Sequence, residues 1–309
     1  RGGRRTVPWM ASSLVDALLA ALVASGAQLV GVLGPVTACA VVLHQLQRML
    51  AASLTTTFGW RAMLVTGWLG VPVHELAHVA ACLTFMHEVE EVKLFAPDPE
   101  TGSLGLVRHH APPGNPWAAI GRLFIAVAPL GGGALALGLA AHFLLPDVDL
   151  FRAPLALAGP ADAFSRAWSV TIVLLDPARL GDWRTWAFLY VATCVGAHLA
   201  PSIADLRDGV RGAVALVAVL FAANLVALAF GGPPTELVAG AAALTTPVVA
   251  LMSVAALVCA LVLVLALAVT TVVERTRGTR GHLGRFARAH ALRLALVAVI
   301  TVAFAAAAA

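Results

Sequence analysis

Two histidines and a glutamate lie within one apolar stretch, WLGVPVHELAHVAACLTF at residues 68–85. His74 and His78 are four residues apart, so a helix places both imidazoles on one face, about 6 Å apart along its axis. This spacing allows two neutral imidazoles to bind one Zn²⁺ ion. Glu75 lies beside the pair and can take a proton from a water molecule at the metal. The pattern therefore predicts a hydrolytic zinc site with His74 and His78 as ligands and Glu75 as the catalytic base.

The apolar surroundings make this pattern informative. Ionisable side chains are costly in the middle of a membrane helix and need partners there. A shared metal ion would let the imidazoles and the carboxylate compensate one another. A patch of hydrogen bonds between helices, without a metal, is the alternative.

A catalytic zinc ion usually has three protein ligands and one open position. The segment GAHLAPSIADLRDG, residues 196–209, is the best source of the third ligand, because it ends an apolar run and then offers two carboxylates. We predict Asp205 as this ligand, since it lies nearer the membrane, with Asp208 as the alternative. His198 lies in the same segment and could be a metal ligand, or simply pack at the helix end.

The composition indicates a membrane protein, since 60% of the residues are hydrophobic and 12% are charged, against about 25% charged residues in a soluble domain. A bilayer core needs roughly 20 apolar residues in a helix, so we predict an all-α polytopic membrane protein with about six to seven transmembrane helices. The candidate spans are the apolar runs 17–47, 62–86, 123–146, 185–204, 212–235, 237–273 and 294–309. We expect an interfacial segment before a span near 26–46, a break at Pro247, and a surface loop at 151–183.

The positive charges predict how these spans are oriented. With the N-terminus inside, 14 of the 20 Lys and Arg residues fall in the inner segments 1–16, 87–122, 205–211 and 274–293. Cytoplasmic loops carry such an excess. This orientation brings the zinc motif and Asp205 to a similar depth on the cytoplasmic side of a cell membrane.

The segment after the zinc motif predicts a small β-hairpin. The stretches VEEVKLF and SLGLVRH are typical of short strands, with PDPETG as the turn between them. An extended substrate segment could add to such a hairpin as a further strand. A solvated loop is the alternative, and His87 and His109 at the hairpin ends are expected to be interfacial or solvated.

The two motifs together resemble the site-2-protease family of intramembrane zinc metalloproteases. That family has H-E-x-x-H followed by an N-x-x-P-x-P-x-L-D-G stretch. His74, Glu75 and His78 match the first motif, whereas HLAPSIADLRDG matches the second loosely, with His198 in the place of Asn and without the second Pro or L-D-G. The chain looks most similar to a divergent prokaryotic branch, over roughly residues 60–210. The resemblance implies a Zn²⁺ cofactor, membrane-protein substrates such as anchored regulators, and an edge strand that binds them. It also makes His198 a candidate catalytic residue, which in the place of the Asn could orient the substrate or stabilise an oxyanion.

We therefore predict an intramembrane zinc metalloprotease that cuts single-span membrane proteins within or beside their membrane segment. The predicted single membrane domain, 1–309, has a catalytic core at 60–210, which includes the hairpin loop 87–118, and accessory helices at 211–309. A membrane zinc transporter that uses the same His/Glu cluster is the alternative, although no His-rich loop is present. The lipid bilayer is an expected partner, and nucleic acid is not, because no basic patch with interleaved aromatic residues occurs.

Overall fold

The computed structural model describes residues 14–148, 160–230, 236–276 and 282–308, which form ten helices and one hairpin. The elements are α1 (Leu14–Phe58), α2 (Ala62–Thr84), β1 (Glu88–Lys93), β2 (Leu106–His110), α3 (Pro116–Leu144), α4 (Pro160–Leu174), α5 (Pro177–Leu180), α6 (Trp183–His198), α7 (Ile203–Ala229), α8 (Glu236–Thr276), α9 (His282–Ala289) and α10 (Ala291–Ala308). The mostly helical fold of a membrane protein is as predicted.

The predicted number of transmembrane helices is wrong, because it is too high. Among the described residues, α1, α3, α7 and α8 are long and apolar enough to cross a membrane. The α9–α10 pair, bent by 70°, would make a fifth span. Two of the predicted spans do not form transmembrane helices, one because of its hydropathy and one because of its length. The zinc-motif helix α2 carries three ionisable residues that lower its hydropathy, and α6 has 16 residues, about 24 Å of helix against a core of about 30 Å.

Several apolar runs form longer helices than predicted. The run that was expected to contain an interfacial segment and a span forms a single helix, α1, of 45 residues with Pro35 inside it. Pro247 lies inside α8, which continues beyond it. The first part of the predicted surface loop, 151–159, lies outside the described residues. The described part contains α4, whose Ala167, Val170 and Leu174 are buried in the core. The sequence of this segment predicted a loop, but α4 has an apolar face, and this face packs into the core.

The predicted hairpin is present. β1 and β2 pair antiparallel from Glu88 opposite His110 to Lys93 opposite Leu106, with an irregularity between Val89 and Glu91. Beyond the strands, the Ala96 N–H donates to the Leu104 carbonyl and extends the pairing toward the turn. The hairpin packs against α2, so its turn side lies over the helix that carries the zinc motif.

Helices α3, α6 and α7 lie around the zinc motif of α2. α2 packs against α3 and α6, and α3 packs against α7. On the far side, α1 packs along α8 and closes the main apolar core. α7 runs through the predicted boundary at 210/211, so one helix joins the catalytic core to the accessory region.

Gly70 of α2 lies directly against α6, and we expect Gly70→Ala to destabilise the protein. An added Cβ would collide with the Cys194 carbonyl oxygen and lie 2.8 Å from His198 Cδ2. Overpacking of this kind costs about 1–3 kcal/mol, so the midpoint of thermal unfolding in detergent should fall. Gly26→Ala in α1 is the matched control, because nothing lies within 4 Å of its added Cβ. Equal midpoints for the two variants would contradict the close α2–α6 contact.

Candidate metal centre

The two motif histidines are held by backbone carbonyls of two other elements. His74 Nδ1 lies 2.7 Å from the His198 carbonyl oxygen, and His78 Nδ1 lies 2.9 Å from the Ile125 carbonyl oxygen. A carbonyl only accepts hydrogen bonds, so each Nδ1 must be the protonated, donating nitrogen. Each neutral ring therefore has an unprotonated Nε2 with a lone pair.

Both lone pairs point into the same space. The Nε2 atoms of His74 and His78 are 3.1 Å apart, and the rings meet edge to face. Two unprotonated nitrogens at this distance repel each other unless a cation or a proton lies between them. The His78 ring is buried at 5% exposure, so water has little access to relieve the repulsion.

Asp205 completes the group. Its Oδ1 lies 3.6 Å from His78 Nε2, and the ligand atoms of His74, His78 and Asp205 all lie within 4.8 Å of one another. Two donor atoms bound to one tetrahedral zinc at about 2.0–2.1 Å would be about 3.4 Å apart. The 3.1 Å and 3.6 Å spacings are close to this value, and the remaining pair lies within 4.8 Å. The three side chains therefore fit a zinc ion that keeps a fourth position open, with a small adjustment of the third spacing.

The N-terminus of α7 fixes the orientation of the Asp205 carboxylate. Ser202 and Asp205 form a capping box, in which the Ser202 hydroxyl accepts from the Asp205 N–H and Asp205 Oδ2 accepts from the Ser202 N–H at 2.7 Å. Such a cap satisfies backbone donors that the helix itself leaves free. One carboxylate oxygen is thus committed to the helix start, and the other faces the imidazoles.

Asp208, the alternative third ligand, lies in a different set of contacts. Its Oδ1 accepts a hydrogen bond from Arg122 of α3 at 2.7 Å and lies 3.6 Å from Arg211. Among the described residues, the only group of three or more His, Cys, Asp or Glu side chains that could hold a metal ion contains Asp205. The structure therefore favours Asp205 over Asp208 at this centre.

Glu75 lies on the same turn of α2, buried at 8% exposure. The segment that precedes β2 covers it closely. A Cβ at Gly105 would be 2.9 Å from Glu75 Oε1 and 2.6 Å from Val71 Cγ1. The absence of a side chain at Gly105 thus lets the hairpin reach the carboxylate.

We expect Gly105→Ala to reduce turnover without loss of the metal. The new methyl group must displace either the hairpin or the Glu75 carboxylate, and a shift of about 1 Å in a catalytic group can cost about 100-fold. Cleavage rate and zinc content of the purified variant measure this effect. Val71→Ala is the control, and the double variant should recover part of the activity because it removes the 2.6 Å contact. Full activity of Gly105→Ala would show that this contact does not position Glu75.

His198 contributes to the centre in a way that its residue type does not predict. Its carbonyl orients His74, while its Nε2 hydrogen bonds with the Thr66 hydroxyl at 3.0 Å. Thr66, Gly70, His74 and His78 follow one another at intervals of four, so they form one stripe of α2. The His198 imidazole lies along this stripe two turns before His74. Its catalytic role stays a prediction.

A cavity of about 410 Å³ lies beside the metal group, between β2, α3 and α7, and both Asp205 and His109 line it. His109 Nδ1 lies 2.9 Å from His87 Nδ1, and His87 Nε2 donates to the Ala118 carbonyl at 2.9 Å. Burial lowers the pKa of His109, and His87 lowers it further. His87 was expected to be interfacial or solvated, but it is buried at 5% exposure.

Several groups that position the centre were not predicted from the sequence. The carbonyls of His198 and Ile125 carry no sequence signal, since every residue has one. The Gly105 contact also needs the folded hairpin. The Ser202–Asp205 cap does have a signal, because Ser-x-x-Asp before an apolar run is typical of a helix N-terminus. This spacing would have favoured Asp205 over Asp208.

Comparison with known proteins gives no family for this chain. No family model, no curated protein and no solved structure matches it. A chemical role at this centre is therefore supported by the contacts of His74, His78, Asp205 and Glu75.

Proposed function

We propose that this protein is an intramembrane zinc endopeptidase of the site-2-protease type. It hydrolyses a peptide bond within or next to the transmembrane segment of a membrane-protein substrate. The observation that carries the proposal is the convergence of His74 Nε2, His78 Nε2 and Asp205 Oδ1 within 4.8 Å, with Glu75 on the same helical turn. Three ligands, an open position and an adjacent carboxylate are what zinc hydrolases use.

Each residue has a distinct role in this mechanism. A bound zinc ion would supply Lewis acidity, polarising the scissile carbonyl and acidifying water. Glu75 accepts the proton of the attacking water and passes it to the leaving amine. The carbonyls of His198 and Ile125 keep both imidazoles in the tautomer that presents Nε2. The helices packed around α2 limit access of bulk water, which strengthens these interactions.

The hairpin is the proposed substrate-binding element. Within the described residues β2 pairs only with β1. Residues Leu106 to His110 of β2 line the cavity that Asp205 also lines, whereas no residue of β1 does. An unwound segment of the substrate can pair with the unpaired backbone groups of β2. The peptide groups of a helical substrate segment are engaged in internal hydrogen bonds. The segment must therefore unwind before its scissile peptide bond can reach the metal centre.

The proposed substrates are single-span membrane proteins, and the proposed location is a multi-pass position in the cell membrane with the centre toward the cytoplasm. The excess of Arg in the segments 87–122, 205–211 and 274–293 supports this orientation. The hairpin and the N-terminus of α7 both belong to these segments, so the centre and its cavity would face the same side.

Metal removal tests the proposal. Purified protein should contain close to one zinc per chain and cleave a generic single-span substrate. Chelation should abolish cleavage and added zinc should restore it. Zinc flux into liposomes, with zinc bound and no cleavage, would instead favour a transporter. A protein that binds no zinc would refute the metal centre itself.

A further inference from the structure

The cavity beside the metal centre carries an excess of positive charge. Arg108, Arg122 and Arg211 line it, together with Asp205 and Asp208. Arg108 is paired with Glu91 of β1 at 3.3 Å, and Asp205 belongs to the metal centre and to the helix cap. Asp208 is then the one carboxylate left in the cavity wall, against the two cations Arg122 and Arg211.

These two cations share a single oxygen atom. Asp208 Oδ1 lies 2.7 Å from Arg122 Nη1 and 3.6 Å from Arg211 Nη1. Each guanidinium has five N–H donors in a planar fork. Within the described part of the chain, neither Arg122 nor Arg211 has another acceptor or ion-pair partner beyond Asp208. Most of their donors are therefore available to a second carboxylate.

The position of Arg122 makes this charge effective. Its side chain is 28% exposed, against 75% for Arg211, and it stands among the apolar residues of α3. Charges that are partly withdrawn from water are screened less by salt and interact more strongly. An anion in this cavity would gain more from Arg122 than from an exposed arginine.

We propose that this cavity is a subsite for an Asp or Glu side chain of the substrate, held by Arg122 and Arg211 beside Asp208. The inference rests on the proposed protease function and names a substrate class for it, namely single-span proteins with an acidic residue near the cleaved bond. Gly105, just before β2, lies against Glu75, and His109 lies four residues later in β2. At about 3.3 Å per residue, the acidic side chain lies roughly three to five residues from the scissile bond.

The strand geometry supports a peptide as the source of the carboxylate. A segment paired with β2 directs every second side chain to the same face. Every residue of β2 from Leu106 to His110 lines the cavity, so a paired segment would use the backbone groups of this strand together with the arginines. A lipid headgroup would use the charges but not this backbone.

Binding to an inactive but zinc-loaded protein tests the subsite. Full-length Glu75→Gln, in nanodiscs of neutral phosphatidylcholine, is titrated with fluorescent single-span peptides that carry one Glu, Gln or Lys at successive positions flanking the apolar span. At one or two adjacent positions, Glu should bind about tenfold to hundredfold more tightly than Lys, as expected for a charge-assisted contact. Equal affinities at every position would overturn the proposal.

Charge reversal on α7 supplies the matched comparison. Arg211→Glu should invert the preference toward Lys at the same position. Arg207→Glu is the control, because Arg207 is exposed on the same helix and does not line the cavity. Arg211 is mostly exposed, so its substitution should leave folding intact. Identical behaviour of the two variants would show that the preference is a general surface effect and would overturn the subsite.

Three further outcomes separate the subsite from the protease function and from lipid binding. Cleavage by the wild-type protein without any Glu preference removes the subsite and leaves the protease proposal. Glu preference without cleavage removes the protease proposal and supports carboxylate recognition. Nanodiscs with phosphatidylglycerol provide the lipid arm: if Arg211→Glu weakens anionic lipid binding and leaves peptide preference unchanged, the cavity is a headgroup site and the proposal fails.

Discussion

Glu75→Gln is expected to lower peptide cleavage by about 10²- to 10⁴-fold, the usual contribution of a general acid–base group. The substitution keeps the size and the hydrogen-bonding shape of the side chain but removes its ability to take a proton. His74, His78 and Asp205 are untouched, so zinc content should stay close to that of the wild type. Single-turnover cleavage of a single-span substrate and metal analysis on the same preparations measure both quantities.

The paired measurement separates catalysis from metal binding. A variant that loses both zinc and activity would make Glu75 a ligand or a structural residue. A variant that keeps full activity would remove Glu75 from the mechanism. Glu91 on β1 gives a matched control, since it is a glutamate of the hairpin paired with Lys93 and Arg108. Glu91→Gln should change neither zinc content nor the rate.

Asp205→Asn is expected to weaken zinc binding by more than about 100-fold, because loss of even a residue behind a ligand costs about 10- to 100-fold. The amide oxygen of Asn can still accept from the Ser202 N–H, so the α7 cap should persist. The effect should therefore be on the metal and not on the fold. Competition with a chromophoric chelator measures the affinity, and thermal unfolding checks the fold.

Asp208→Asn is the matched control, since it makes the same chemical change three residues later on the same helix. It breaks the ion pair with Arg122 and leaves the metal-ligating group intact. Zinc affinity should remain within about threefold of the wild type. If Asp208→Asn lost zinc and Asp205→Asn kept it, the ligand assignment would be reversed.

The zinc motif was accessible to sequence reasoning because its geometry belongs to one helix. Residues i and i+4 share a face in any helix, so His74 and His78 had to project together once α2 formed. The hairpin was accessible for a similar reason, since its turn residues and alternating strands are local signals. Neither prediction depended on how distant parts of the chain pack.

The choice between Asp205 and Asp208 and the count of spans depended on tertiary contacts. Asp205 and Asp208 are both acids near the start of α7, and the partner that separates them, Arg122, lies on α3. Apolar composition likewise did not distinguish a transmembrane helix from a shorter one. An example is α6, which ends at His198, three residues before Pro201.

The sequence alone determined a membrane-embedded helical chain with a pair of imidazoles and a carboxylate on one helix, because periodicity and hydropathy are properties of the local chain. Only the tertiary structure decided which acid meets the imidazoles, which carbonyls set their tautomers, and that Gly105 lies against Glu75. Those choices come from the packing of α3, α6, α7 and the hairpin around α2. Contacts between residues far apart in sequence leave no periodic signal, so packing had to reveal them.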